Sequence, residues 1–294
     1  MQRAIVSALG SDLEDADQVA PLVVISTTGD RVQDRRLLEI GGKGLFTKEI
    51  EEALLAGEID CAVHCLKDMP AECPAGLVIA AIPEREDPRD AFISHIAARL
   101  EDLPQNARLG TASLRRQAQA LALRPDLQIV LLRGNVDTRL AKLAAGEADA
   151  ILLAISGLNR LGLAHLPSSL IDPTVSPPAP GQGALAIQTR ASDQAASWLN
   201  ALRHHPTLIA VTAERGALAA LEGSCKTPIG AHARLEDGRL SLIVEALSPD
   251  GRLRFRREGA VVLGAQALEA SRALGVSLGQ SILAEAGDQI MLIV

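Results

Sequence analysis

Hydrophobic and polar positions divide the chain into short, closely spaced elements. Leu22-Val-Val-Ile-Ser26 is a β-branched run that predicts a strand, closed by the polar turn Thr27-Thr-Gly-Asp30. Phe46, Ile50, Ala53 and Leu54 recur at helical spacing and predict a helix over 46–56, stopped by Gly57. Ile59 to Leu66 reads as a buried strand ending in Lys67-Asp68-Met69-Pro70. Leu77 to Ile82 reads as another, before the charged loop Glu84 to Asp90.

A second unit begins near Ala91. Gly110-Thr-Ala-Ser113 supplies good cap residues for a helix over 113–123. A strand (127–132), a helix (136–145, ended by Gly146) and a strand (150–155) follow at short intervals. That alternation predicts an α/β architecture with a parallel sheet covered on both faces. Four prolines between Pro173 and Pro180 break the pattern and mark a boundary or hinge, after which 184–189 reads as one more strand. Beyond His204-His205-Pro206 the texture changes. A helix over 212–221, strands over 229–234 and 240–247 around the hairpin signal Asp237-Gly238, and a mostly helical stretch over 265–286 predict a small α+β domain.

The chain has 294 residues, 48% hydrophobic and 22% charged, with a net charge of −7. Its length suits two or three domains. An acidic chain with Phe46, Phe92, Phe255 and Trp198 as its aromatics lacks the charge and the stacking surface for broad nucleic-acid or membrane-surface binding. The longest apolar run, Ala150 to Ile155, is far short of a membrane span, and the N-terminus does not read as a signal peptide. The cytoplasm is the expected compartment.

Cys61, Cys65 and Cys73 cluster around His64, which raises a metal site. On a strand, however, Cys61 and Cys65 share one face while His64 points to the other. Buried structural thiols are therefore expected, and no metal. Charge is concentrated elsewhere. From Arg108 to Arg160 eight basic residues stand against four acidic ones. Arg115 and Arg116 open a predicted helix, and Arg133 and Arg139 bracket the loop Gly134-Asn135 at a strand's C-terminal end, where ligands bind in open α/β sheets. Cations at a helix N-terminus oppose its dipole, which points to an anion in that space. The residues alone give a two-lobed binder of a polycarboxylate or phosphate.

Five motifs go further: Gly41-Gly-Lys-Gly-Leu-Phe-Thr-Lys-Glu49, Ala62-Val-His-Cys-Leu-Lys-Asp-Met-Pro70, Gly110-Thr-Ala-Ser-Leu-Arg-Arg-Gln117, Leu132-Arg-Gly-Asn-Val-Asp-Thr-Arg139 and Leu221-Glu-Gly-Ser-Cys-Lys-Thr-Pro-Ile-Gly230. In this order, with Pro178-Ala-Pro-Gly-Gln-Gly-Ala184, they resemble the porphobilinogen deaminase (hydroxymethylbilane synthase) family. The resemblance implies two lobes shaped like a periplasmic binding protein, lobe 1 being 1–85 with 184–203 and lobe 2 being 86–183. A C-terminal domain over 204–294 would carry the cofactor cysteine. It implies a monomeric transferase that joins four porphobilinogen molecules, with loss of ammonia, into hydroxymethylbilane. Its dipyrromethane cofactor would be held by a thioether on Cys225. By position Asp68 matches the catalytic carboxylate. Lys67, Ser113, Arg115, Arg116 and Asp30 match cofactor-binding positions, and Lys43, Arg133, Arg139, Arg160 and Gln182 match substrate-binding ones. Acetate and propionate on every pyrrole ring account for an arginine-rich cleft in an acidic protein.

The chain departs from the family in three places. Asp137, beside Arg139, stands where some relatives have Gly, and Glu39 where some have Lys. Met1-Gln2-Arg3 leads straight into what resembles the helix after the family's first strand and its Thr-Arg-x-Ser segment. The expectation is either an upstream start that restores this segment or a poorly stable chain with little activity. The competing reading is a non-catalytic polycarboxylate binder. A transport receptor is disfavoured by the lack of an export signal.

Overall fold

The computed structural model describes residues 1–31, 44–221 and 227–290, the side chain of Asp30 excepted. Three sheets organise them. The first is antiparallel, with strands β1 (Ala62–Cys65), β2 (Leu77–Ala81) and β8 (Leu185–Arg190) in the order β1-β8-β2. Helix α1 (Gln2–Ala8) buries Ile5 and Val6, and Ile5 packs in the cluster with Ala81, Ile187, Leu199 and Leu202. Helix α2 (Lys48–Ala56) covers Ala62 and Leu77 with Leu54 and ends at Gly57 as predicted.

The second sheet holds β3 (Asp90–Ser94), β4 (Arg108–Gly110), β5 (Gln128–Val130), β6 (Ala150–Ala154) and β7 (Ser169–Leu170), in the order β5-β4-β6-β3-β7. Helices α3 (Leu114–Leu123), α4 (Val136–Ala144) and α5 (Ile155–Arg160) link its strands. The two predicted strands β5 and β6 run parallel, but β4, which the pattern does not single out, lies between them and pairs with both, and β3 runs antiparallel to both its neighbours. Separate clusters around Leu132, Ile151 and Leu158 and around Phe92, Leu109 and Leu127 form its core.

The third sheet is an antiparallel meander of β9 (Ile229–Glu236), β10 (Arg239–Leu247) and β11 (Arg254–Val262), with β10 central. The hairpin turns at Asp237-Gly238, both at positive φ, as the sequence predicts. Helices α6 (His205–Ala220) and α7 (Ala267–Ala286) bury Ala213, Ala217 and Ile282 in the cluster that holds Leu240, Leu242 and Val244.

One predicted strand is not formed. Residues 21–27 carry no regular structure, and Leu22, Val23 and Val24 are 71%, 60% and 93% exposed. A β-branched run has strand propensity, but a strand needs a ladder partner, and this one pairs with none among the described residues.

Candidate active site

Asp68 ends the 3-10 turn Leu66–Asp68, directly after β1. The turn is pinned from both sides. Leu66 N–H donates to Ala184 O (3.0 Å), Met69 N–H donates to Leu66 O (3.2 Å), and both side chains sit in the core with Ala186 and Val211. Buried residues on either side thus anchor the backbone that carries an accessible carboxylate. Although water reaches it, the protein crowding around Asp68 pushes its pKa up, against the pull of Lys67, Arg116, His64 and Arg139. Burial pushes the Lys67 ammonium down; Asp68 opposes that shift and Arg116 reinforces it. Burial also lowers Arg139, to about 10, with the charges of Arg116 and Arg133 adding to the effect. Lys67, Arg116 and Arg139 are therefore close enough to Asp68 for their charges to act on it. The motifs around Asp68, Arg116 and Arg139 are brought to one place.

The cations come from loop–helix junctions. Ser113 caps α3, its Oγ accepting the Arg116 N–H (3.4 Å), and Asn135 caps α4, its Oδ1 accepting the Thr138 N–H (2.9 Å). Between them, Gly134 has φ +118°, and a Cβ there would meet Thr138 at 2.6 Å, so the turn that delivers buried Arg133 and Arg139 requires glycine. Arg139 Nε donates to Gly134 O (2.8 Å), which folds its guanidinium back over that turn. Asp137 points to solvent, and the charges acting on Arg139 are those of Arg116, Arg133 and Asp68.

Arg115 and Arg116 differ from expectation. Their nearest anion is the protein's own Asp90, the first residue of β3. Asp90 Oδ2 accepts Arg115 Nη1 (2.7 Å), and Asp90 Oδ1 accepts Arg116 Nη2 (2.7 Å) and Nε (3.1 Å). All three residues are buried, and the two guanidinium groups hold the Asp90 carboxyl far below the usual carboxylate range against the penalty of burial. The anion inferred at this helix start is therefore supplied, at least in part, by a strand 25 residues upstream.

Comparison with known proteins places this geometry. Residues 2–197 match the family model of the porphobilinogen deaminase dipyromethane cofactor binding domain, and residues 208–284 match that of the porphobilinogen deaminase C-terminal domain. The chain belongs to the porphobilinogen deaminase family. It is 68% identical to the porphobilinogen deaminase of Caulobacter vibrioides, across 99% of this chain and 92% of that one. Identity to the enzyme of Phenylobacterium zucineum is 69%, across 99% and 93%. Among solved structures, the periplasmic aliphatic sulphonate binding protein SsuA from Escherichia coli aligns at 17% identity over 75% of this chain and 68% of that one, with a TM-score of 0.39.

Two further positions that match the deaminase motifs, Arg160 and Gln182, lie around the crossovers between the first two sheets, the first crossover being 82–89 and the second 171–184. Arg160 ends α5 and donates through Nη2 to Gly183 O (2.8 Å). Gly183 itself has φ +88° and approaches Glu86 O so closely that a Cβ would sit 2.4 Å away. Gln182 is 1% exposed, and its Nε2 donates to Pro88 O (2.7 Å) and Asp90 Oδ1 (2.9 Å). Asp30 lies in the short helical turn Thr28–Arg31. Lys43, Glu39 and Cys225 lie outside the described residues.

Two further features at the site were not anticipated. Cys65, expected to be a buried thiol, is exposed beside Asp68. The alternation is as predicted, with His64 buried and Cys65 on the opposite face, but the faces are exchanged. Surrounding protein and the Asp68 charge push the Cys65 thiol up, while Lys67 and a hydrogen bond from Arg160 oppose them. Behind the strand, His64 Nε2 donates to Gln188 Oε1 (3.0 Å) and Gln188 Nε2 to buried Glu51 (3.0 Å), a relay that holds His64 in place; burial lowers its pKa. Separately, a cavity of about 270 Å³ between Asp87, His204, Thr207 and His232 contains none of the residues assigned from the motifs.

Proposed function

We propose that this chain is a hydroxymethylbilane synthase, a transferase that joins four porphobilinogen molecules head-to-tail, with one ammonia lost from each, in tetrapyrrole biosynthesis. Family membership across nearly the whole chain favours catalysis over the non-catalytic binder. The observation that carries the residue roles is the fixed Asp68 carboxyl with Lys67, Arg116 and Arg139 around it.

The described residues fit a dipyrromethane. Arg115 Nε is a buried donor without a partner, suited to a carboxylate, and Gln182 Oε1 is a buried acceptor without a partner, suited to a pyrrole N–H. Lys67, Ser113, Arg115, Arg116 and Asp30 would hold it, with Cys225 as its attachment point. When bound, the group supplies the pyrrole carbon from which the chain is extended. Arg133, Arg139, Arg160 and Lys43 would grip the acetate and propionate groups of the incoming porphobilinogen, and Gln182 would meet a pyrrole N–H through Oε1. Loss of ammonia leaves that pyrrole electron-poor. Asp68, acceptor-only when ionised, stabilises the positive charge through the ring N–H and then takes the proton that must leave once the new carbon–carbon bond has formed. Its raised pKa makes it a better base than an ordinary carboxylate, and the surrounding cations favour its ionised form. The proposed enzyme is a cytoplasmic monomer, and its acidic, aromatic-poor composition argues against a nucleic-acid partner; no helix among the described residues is long and apolar enough to cross a membrane.

Asp68→Asn keeps the shape and removes the charge. Turnover is expected to fall at least ~100-fold, while the purified chain keeps the added mass of the cofactor. Turnover at the parental rate would remove Asp68 from the mechanism.

A further inference from the structure

The third sheet reaches into the arginine cluster through a side-chain relay that the mechanism above does not use. Glu245 on β10 is fully buried. Its Oε2 accepts Arg254 Nε (2.6 Å), and its Oε1 accepts Gln119 Nε2 (3.0 Å) from α3. Gln119, also buried, accepts Arg115 Nη1 on its Oε1 (2.8 Å), one helical turn back. Arg115 Nη1 then continues to Asp90 Oδ2. The Pro177 carbonyl, in the second crossover, takes both Gln119 Nε2 (2.9 Å) and Arg115 Nη1 (3.2 Å). Backbone packing tightens the same junction. Ala231 N–H donates to Pro178 O (2.9 Å), and a Cβ at Gly230 would lie 2.5 Å from Pro177 O. Gly230 and Ala231 open β9, a few residues after Cys225 in sequence.

A buried carboxylate is costly unless paired and hydrogen-bonded, and Glu245 is paired on its own sheet by Arg254. Its second oxygen is directed out of that sheet, onto the amide that holds Arg115. Gln119 has both ends of its amide committed, and Glu245 and the Pro177 carbonyl together fix which way the amide faces: nitrogen toward the two acceptors, oxygen toward the arginine. Without Glu245 the amide nitrogen keeps only the Pro177 carbonyl, and the acceptor it presents to Arg115 is held less firmly.

We propose that Glu245 is a positioning residue for the deaminase reaction, acting through Gln119 to set the Arg115 guanidinium relative to the strand that follows Cys225. This rests on the proposed role of Arg115 in holding carboxylates. The relay registers the cysteine-bearing domain against the arginine cluster, so that carboxylate binding depends on where that domain sits.

The test uses the full chain with Glu245→Gln, Gln119→Leu and the double variant. Four quantities are read: the share of chains carrying the cofactor mass, KM and kcat for porphobilinogen, and the Arg115 side-chain Nε–H resonance, assigned through Arg115→Lys. Each single variant is expected to shift that resonance and to lower the share of cofactor-loaded chains about five-fold, with KM and kcat per loaded chain within about two-fold. The double variant is expected to match the singles, because both break one relay. An unmoved resonance, an unchanged cofactor load, losses of load that multiply in the double variant, or a loss confined to thermal stability would overturn the proposal. The resonance is read whether or not the chain turns over, whereas absence of cofactor and turnover in the parent would count against the functional reading.

Discussion

At Asp68 the surroundings pull one carboxylate in two directions. Crowding by protein raises its pKa and the neighbouring cations lower it, with the first effect prevailing. The sign has two consequences. If turnover requires ionised Asp68, the acid limb of kcat lies above the ordinary carboxylate range, and a pH–rate profile should show it there; a limb near the ordinary aspartate value would contradict this. Stability runs the other way. A carboxyl whose folded pKa is raised favours the folded state at low pH, and that advantage is lost as pH rises from the ordinary value through the folded one. Much of this site was legible in sequence, because Lys67-Asp68 and the arginine junctions are local motifs. Asp90 and Glu245 were not, since their partners lie 25 and 126 residues away and nothing local marks either carboxylate as buried. Cys65 was misplaced because period-two alternation separates two faces without saying which of them is covered.

At the scale of elements, caps and turns decide where the cations stand. Ser113 reads as a helix cap and Asn135 as the loop residue before the predicted helix 136–145, and both accept backbone N–H groups as cap residues do. Asn135 also accepts the Thr138 hydroxyl (2.8 Å), so the first turn of α4, which carries Arg139, hangs on one side chain. Asn135→Ala is expected to lower stability by about 1 kcal/mol, read from the urea midpoint, and to raise KM for porphobilinogen. An unchanged midpoint would show that the turn holds without its cap. Strand pairing was less legible than helix boundaries. Strand–helix–strand spacing correctly predicts that β5 and β6 run parallel, but not the short β4 between them, and the antiparallel return of β3 depends on a crossover from another sheet. Residues 22–25 illustrate the same limit: their composition favours a strand, and pairing is a property of the neighbours.

Over the whole molecule, another buried carboxylate ties the three sheets together. Glu214 on α6 is fully buried. It accepts Arg85 from the first crossover (2.7 and 3.1 Å), the Gly181 N–H from the second (2.7 Å) and the Ala233 N–H from β9 (2.9 Å). Truncation would strand a mostly buried guanidinium, so Glu214→Ala should cost about 3–5 kcal/mol in urea denaturation; a loss under about 1 kcal/mol would mean that Arg85 finds water. Both crossovers and the C-terminal sheet thus converge on acidic residues, Asp90, Glu214 and Glu245, that keep arginines in place. The central claim is that this assembly carries a covalent dipyrromethane on Cys225. Intact mass of the purified chain tests it most directly. The account predicts the sequence mass plus one dipyrromethane, and the bare sequence mass for Cys225→Ser. A parent chain at bare mass, or an adduct on Cys61, Cys65 or Cys73, would contradict it.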